Sequence, residues 1–75
     1  MIEVYDKYNK KLECEILFTF KDNNKQFIVY MDKEDDILAS YYEIEDDKLI
    51  ITPITSDLDY DIVDKYLEEW WKQND

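Results

Sequence analysis

The chain is expected to fold as a single α+β domain spanning residues 1–75, with an antiparallel sheet of four to five strands in a meander and one C-terminal helix packed on one face. Three observations predict this. Short apolar runs of strand length recur between polar turn segments. Residues 56–75 place their apolar side chains at helical rather than strand spacing. A chain of 75 residues is long enough for one core only.

Residues 2–6 (I-E-V-Y-D) are β-branched and aromatic and read as the first strand; the turn at 7–11 follows, with Asn9 best suited to a left-handed backbone. Residues 12–20 carry the clearest alternation. Leu12, Cys14, Ile16, Phe18 and Phe20 share one face, while Glu13, Glu15, Leu17 and Thr19 share the other. That pattern predicts a half-buried strand at or near the centre of the sheet, with Cys14 turned inward and unreactive. A turn at 21–25 uses Asp22, Asn23 and Asn24 in a chain that has no glycine, and 26–32 returns as the third strand. The acidic turn at 33–36 leads into a strand at 37–44. The turn at 45–47 leads into a fifth strand at 48–52, which Pro53 ends because it has no N–H to donate.

A helix is predicted over 57–73. Ser56 is a good N-cap, Asp57 and Asp59 put negative charge at the positive end of the helix dipole, and Lys72 lies near the opposite end. Val63, Leu67 and Trp70 are expected to face the sheet. Tyr60 and Trp71 fall at the rim of the apolar arc, beside a charged face that includes Asp61, Asp64 and Glu68. The arc is wider than one-sided packing needs, and Leu17, Ile28 and Tyr30 sit on the far face of the sheet, which a single helix does not cover. Either the sheet wraps the helix, or some of this surface meets another chain.

Composition excludes several functions. Twenty acids against nine bases give a formal charge of −11, and all nine bases are lysine, so neither direct nucleic-acid binding nor attachment to an anionic membrane is expected. One cysteine rules out an internal disulfide framework, and no apolar run is long enough for a leader or a membrane span, which points to the cytoplasm. Without histidine, Cys14 and Ser40 have no imidazole to activate them. Without glycine there is no phosphate-cradling loop or dinucleotide fingerprint. The acids at 32–36 resemble a calcium loop only superficially, since the glycine at the sharp turn is missing. Asp57, Asp59, Asp61 and Asp64 read as helix-start and solvent-face acids. No catalytic, cofactor-binding or metal-ligating residue is therefore assigned, no cofactor is expected, and the chain does not read as an enzyme.

Four stretches occur in a familiar order: E-I-L-F-T-F at 15–20, I-L-A-S-Y-Y at 37–42, the run from Leu49 to Pro53-Ile54, and the acid-rich segment from Asp57 to Val63. The series resembles the bacterial family called domain of unknown function 1292, small acidic proteins found mainly in low-GC Gram-positive bacteria. Tyr60 stands where that family usually has tryptophan, the turns lack glycine, and Trp70-Trp71 lies outside the pattern. The resemblance implies a bacterial, cytosolic and non-enzymatic protein and carries over no catalytic residue.

The expected function is that of a small acidic cytosolic protein-interaction or regulatory module. Its expected partner is a protein, either a second copy or another chain, and no small-molecule substrate is expected. Candidate contact residues are Tyr60, Trp71, Leu17, Ile28 and Tyr30. The alternative is a polyanion mimic that blocks a nucleic-acid-binding enzyme, which requires carboxylates in a continuous stripe.

Overall fold

The computed structural model describes residues 3–73. Ile2, placed in the first expected strand, lies outside them. The described residues form six strands, β1 (Glu3–Tyr5), β2 (Lys11–Leu12), β3 (Cys14–Asp22), β4 (Lys25–Asp32), β5 (Ile37–Glu45) and β6 (Lys48–Pro53), followed by the helix α1 (Asp57–Gln73). They form one sheet in the order β2-β1-β6-β5-β4-β3. From β3 to β6 the chain is the expected antiparallel meander. It departs from that plan at the N-terminus, where β1 runs parallel to β6 with Val4 opposite Leu49, and β2 folds back antiparallel on β1. The class is therefore α+β as expected, with six strands rather than four or five and a mixed rather than purely antiparallel sheet.

The stretch 12–20 is not a central strand. It is divided at Glu13 between β2 and β3, which lie at opposite edges. One-sided alternation marks half-burial, and an edge strand shows it as readily as a central one. The strand enclosed on both faces is β4, whose consecutive residues Phe27, Ile28, Val29 and Tyr30 are all buried. Nor does 12–20 keep one face. Ile16 pairs with Tyr30 and Phe18 with Val29, leaving Leu17 as the extra residue of a bulge. Before the bulge, Cys14 and Ile16 lie on the side of Tyr30; after it, Phe18 and Phe20 lie on the side of Val29 and Phe27.

A single residue, Glu13, connects the two opposite edges of the sheet. Two Cα–Cα steps span at most about 7 Å, so the sheet must coil until its edges approach each other. Inside the coil lies one core, formed by Val4, Ile28, Tyr30, Leu49 and Ile51, with Leu12, Cys14 and Tyr42 packed against it. The second core lies under α1, where Phe27, Val29, Ile54 and Val63 are flanked by Leu17, Phe18, Phe20 and Leu67. The far face is covered in a way neither alternative describes: the sheet coils on itself rather than around the helix, and no α1 residue enters the core it encloses. Ile28, with no exposed surface, and Tyr30, 7% exposed, are thus interior residues and not part of a contact surface, correcting the sequence-based expectation.

Among the described residues, the six with positive φ are all Asn or Asp. Asn23-Asn24 and Asp46-Asp47 close two-residue hairpins with both φ values positive, the type I′ arrangement that usually recruits glycine. Asn9 and Asp35 take the left-handed position in two longer loops that are built alike. In the first, Asp6 Oδ1 accepts the N–H groups of Tyr8 and Lys10, both at 2.9 Å; in the second, Asp32 Oδ1 accepts those of Glu34 and Asp36, at 2.9 and 3.0 Å. Asp32 is thus spaced from its neighbouring acids to form a loop.

Candidate functional site

The helix begins as its sequence demands, with the Ser56 carbonyl accepting the Tyr60 N–H at 3.1 Å and the Ser56 hydroxyl lying 3.4 Å from the Asp59 N–H. From there its two sides do different work. The inner side carries Val63, Tyr66, Leu67 and Trp70. Tyr66 stacks on Phe20 at 3.9 Å between ring centroids and donates its hydroxyl to Asp22, while Trp70 stacks on Phe18 at 5.6 Å. The bond to Asp22, followed by burial, raises the Tyr66 pKa.

Asp59 belongs to this inner side and is fully enclosed, contrary to the expectation of a solvent-face acid. Its Oδ2 receives Lys25 Nζ at 2.7 Å and the Tyr41 hydroxyl, whereas its Oδ1 is enclosed without a hydrogen-bond partner among the described residues. The Lys25 bond, then the Tyr41 bond, lowers the Asp59 pKa against the opposing effect of desolvation, and the same contact raises that of Lys25. The missed signal was spacing. Residues 59, 63, 66 and 70 recur at i, i+4, i+7 and i+11, the stripe of one helix face.

The outer side of α1 is the other candidate surface. Asp57, Asp61, Asp64 and Glu68 are all exposed. At 100° per residue they fall within an arc of about 60°, at axial steps of about 4.5–6 Å. Tyr60, 47% exposed, and Trp71, 52% exposed, lie along one edge of this stripe. Trp71 rests against Trp70 with centroids 5.2 Å apart, so its ring is supported from beneath while one side faces solvent. Lys72 reaches Glu68 at 3.6 Å and Glu69 at 3.9 Å. Leu17 is only half-buried, beside the second core. The five candidate contact residues therefore separate: Tyr60 and Trp71 share the helix, Leu17 sits in the bulge, and Ile28 and Tyr30 are interior.

Cys14 is half-buried at the margin of the first core, and desolvation raises its thiol pKa, away from the thiolate that reaction would need. Asp32, Glu34 and Asp36 bring carboxylate oxygens within 4.8 Å of one another, with one oxygen of Asp32 already holding two backbone N–H groups. Among the described residues, no helix is long and apolar enough to cross a membrane.

A half-coiled mixed sheet carrying one amphipathic helix, with an acidic and aromatic outer helix face, defines a small acidic α+β domain. The chain belongs to the family described as protein of unknown function DUF1292, whose model matches residues 8–72. The match reaches further at both ends than the resemblance, which covers about residues 15–67, and it leaves out β1. No curated protein and no solved structure matches the chain.

Proposed function

We propose that the protein is a non-catalytic interaction module of the bacterial cytosol that docks the outer face of α1 onto a basic surface of a partner protein. The observation that carries this reading is the pair Tyr60 and Trp71, half-exposed beside four solvent-facing carboxylates. Aromatic side chains supply large contact area at low entropic cost, and surrounding charge steers the encounter with a partner of opposite sign. The interior placement of Ile28 and Tyr30 leaves α1 as the surface on which the proposal rests.

The test compares wild type with a Tyr60→Ser/Trp71→Ser variant as bait in a lysate of the native host, followed by titration of each captured protein in purified form. The expected result is a basic partner bound by wild type, with affinity falling as salt rises and lost in the variant, while both baits melt at the same temperature. Equal binding by the two baits would overturn the proposal. The polyanion-mimic reading draws support from the continuity of the stripe from Asp57 to Glu68 and predicts in addition that DNA or heparin competes with this protein for the partner. A partner that binds both at once would exclude the mimic reading while leaving the module.

A further inference from the structure

Coiling the sheet leaves an open end, and a hollow of about 500 Å³ lies there. Its floor is apolar, formed by Leu12, Cys14, Tyr30 and Leu38. Tyr30 and Leu38 are cross-strand neighbours, as are Tyr30 and Ile16, so the floor continues the inward face of β3, β4 and β5. The volume is within the range of small-ligand sites, roughly 300–1,000 Å³.

The charges around this floor come from different walls. The end of the first loop and β2 contribute Lys10 and Lys11; the end of β4 contributes Asp32, the β4–β5 loop Lys33 and Glu34, and Glu13 lies at the joint. Some of these groups are committed. Lys11 pairs with Glu3 at 3.3 Å, and Asp32 organises its loop. Lys10 and Lys33 have no ionic partner among the described residues, although the chain carries 20 acids for its nine lysines. On the acidic side, the oxygens of Glu34, Asp32 and Asp36 crowd within 4.8 Å of one another, where a positive group would relieve their repulsion.

We infer that this hollow binds a small zwitterion with an apolar body, namely a free α-amino acid with a large apolar side chain. The side chain lies on Leu12, Cys14, Tyr30 and Leu38. The carboxylate is held by Lys10 and Lys33, and the ammonium group faces Glu34 and its acidic neighbours. A simple anion would meet Glu34 and Asp32, and a simple cation Lys10 and Lys33, whereas a dipolar ligand can turn each end to the opposite charge. This site is separate from the outer face of α1, and binding here involves no covalent step.

The test is an NMR titration of isotopically labelled protein with L-phenylalanine, N-acetyl-L-phenylalanine and L-phenylalanine amide, following the methyl groups of Leu12 and Leu38 and the ring of Tyr30. The expected result is saturable shifts at these residues with L-phenylalanine. Each blocked compound should bind about tenfold more weakly or worse, since each loses a charge-assisted contact. L-Phenylalanine should also slow alkylation of Cys14. Lys10→Ala/Lys33→Ala should abolish the preference for a free carboxylate, and Glu34→Gln should weaken the preference for a free amine, both with unchanged melting temperature because these side chains are exposed. Absence of saturable shifts at the floor residues, or equal binding of all three compounds, would overturn the inference.

Discussion

Asp59 in the first turn of α1 and Lys25 at the start of β4 form an ion pair at 2.7 Å in which the carboxylate is enclosed and the ammonium partly exposed. Tyr41 of β5 donates to the same carboxylate oxygen and supplies a ring 5.4 Å from Lys25 Nζ. Two neighbouring strands and the helix thus converge on one atom. A carboxylate enclosed in this way is costly to leave unpaired, so it holds the N-terminal end of the helix to one place on the sheet.

Stability should respond to acid through this carboxylate. The folded-state pKa of Asp59 is lowered, first by Lys25 and then by Tyr41, so its contribution is complete above the unfolded-state value of about 3.9 and is lost as pH falls through the lower folded value. The raised pKa of Lys25 acts at the other extreme, its contribution being lost as pH rises past the unfolded value of about 10.4 and through the folded one. Asp59→Asn should melt lower at neutral pH and lose less stability than wild type between pH 5 and pH 2 (roughly the window of carboxylate titration). Parallel acid limbs for the two proteins in urea melts would refute this assignment.

Amide exchange should be slowest in β4, across Phe27, Ile28, Val29 and Tyr30, because these residues are covered on both faces and open only with the whole domain. The edge strand β3 should exchange faster. Slower exchange at Phe18 and Phe20 than at Ile28 would contradict the strand order.

Phe27→Ala should cost about 3–5 kcal/mol, enough to unfold a domain this small, and Leu67→Ala about 2 kcal/mol, the low end for a residue only partly buried. Trp71→Ala should cost less than about 1 kcal/mol, the range of an exposed position. Chemical denaturation of the three variants measures all of this. A loss at Trp71 equal to that at Leu67 would make its ring core rather than surface.

Asn24→Gly and Asp47→Gly should each stabilise the protein by up to about 1 kcal/mol, because glycine accepts the positive φ of 60° and 65° at these positions without the clash a side chain brings. Asn24→Ala should cost about 1–2 kcal/mol. Urea midpoints that move the opposite way would mean that the Asn and Asp side chains themselves stabilise the turns.

The helix and the turns were legible in the chain because their causes are local. Ser56, the first-turn acids and the 3.6-residue spacing mark α1 without reference to anything else, and the Asn and Asp residues mark every positive-φ turn. Strand order was not legible in the same way. A period of two reports how many faces are covered, not what covers them; the unbroken buried run of β4 was the better sign of a two-sided strand. The bulge left only the trace Ile16-Leu17-Phe18, three apolar residues in succession where alternation would place a polar one. Asp59 was hidden by residue type, since an acid at a helix start already has a sufficient explanation.

The joint at Glu13 has a kinetic side. Every pairing from β3 to β6 is between neighbours in the sequence, but β1 must find β6 across most of the chain's length. Distant pairing carries the larger loop-closure entropy and tends to come late. The meander and α1 can assemble from local hairpins, with the arm of β1 and β2 swinging in last to shut the seam like a clasp. In that order of assembly, Ile28, Leu49 and Ile51 would meet water on the side they bury in the closed domain until the arm arrives.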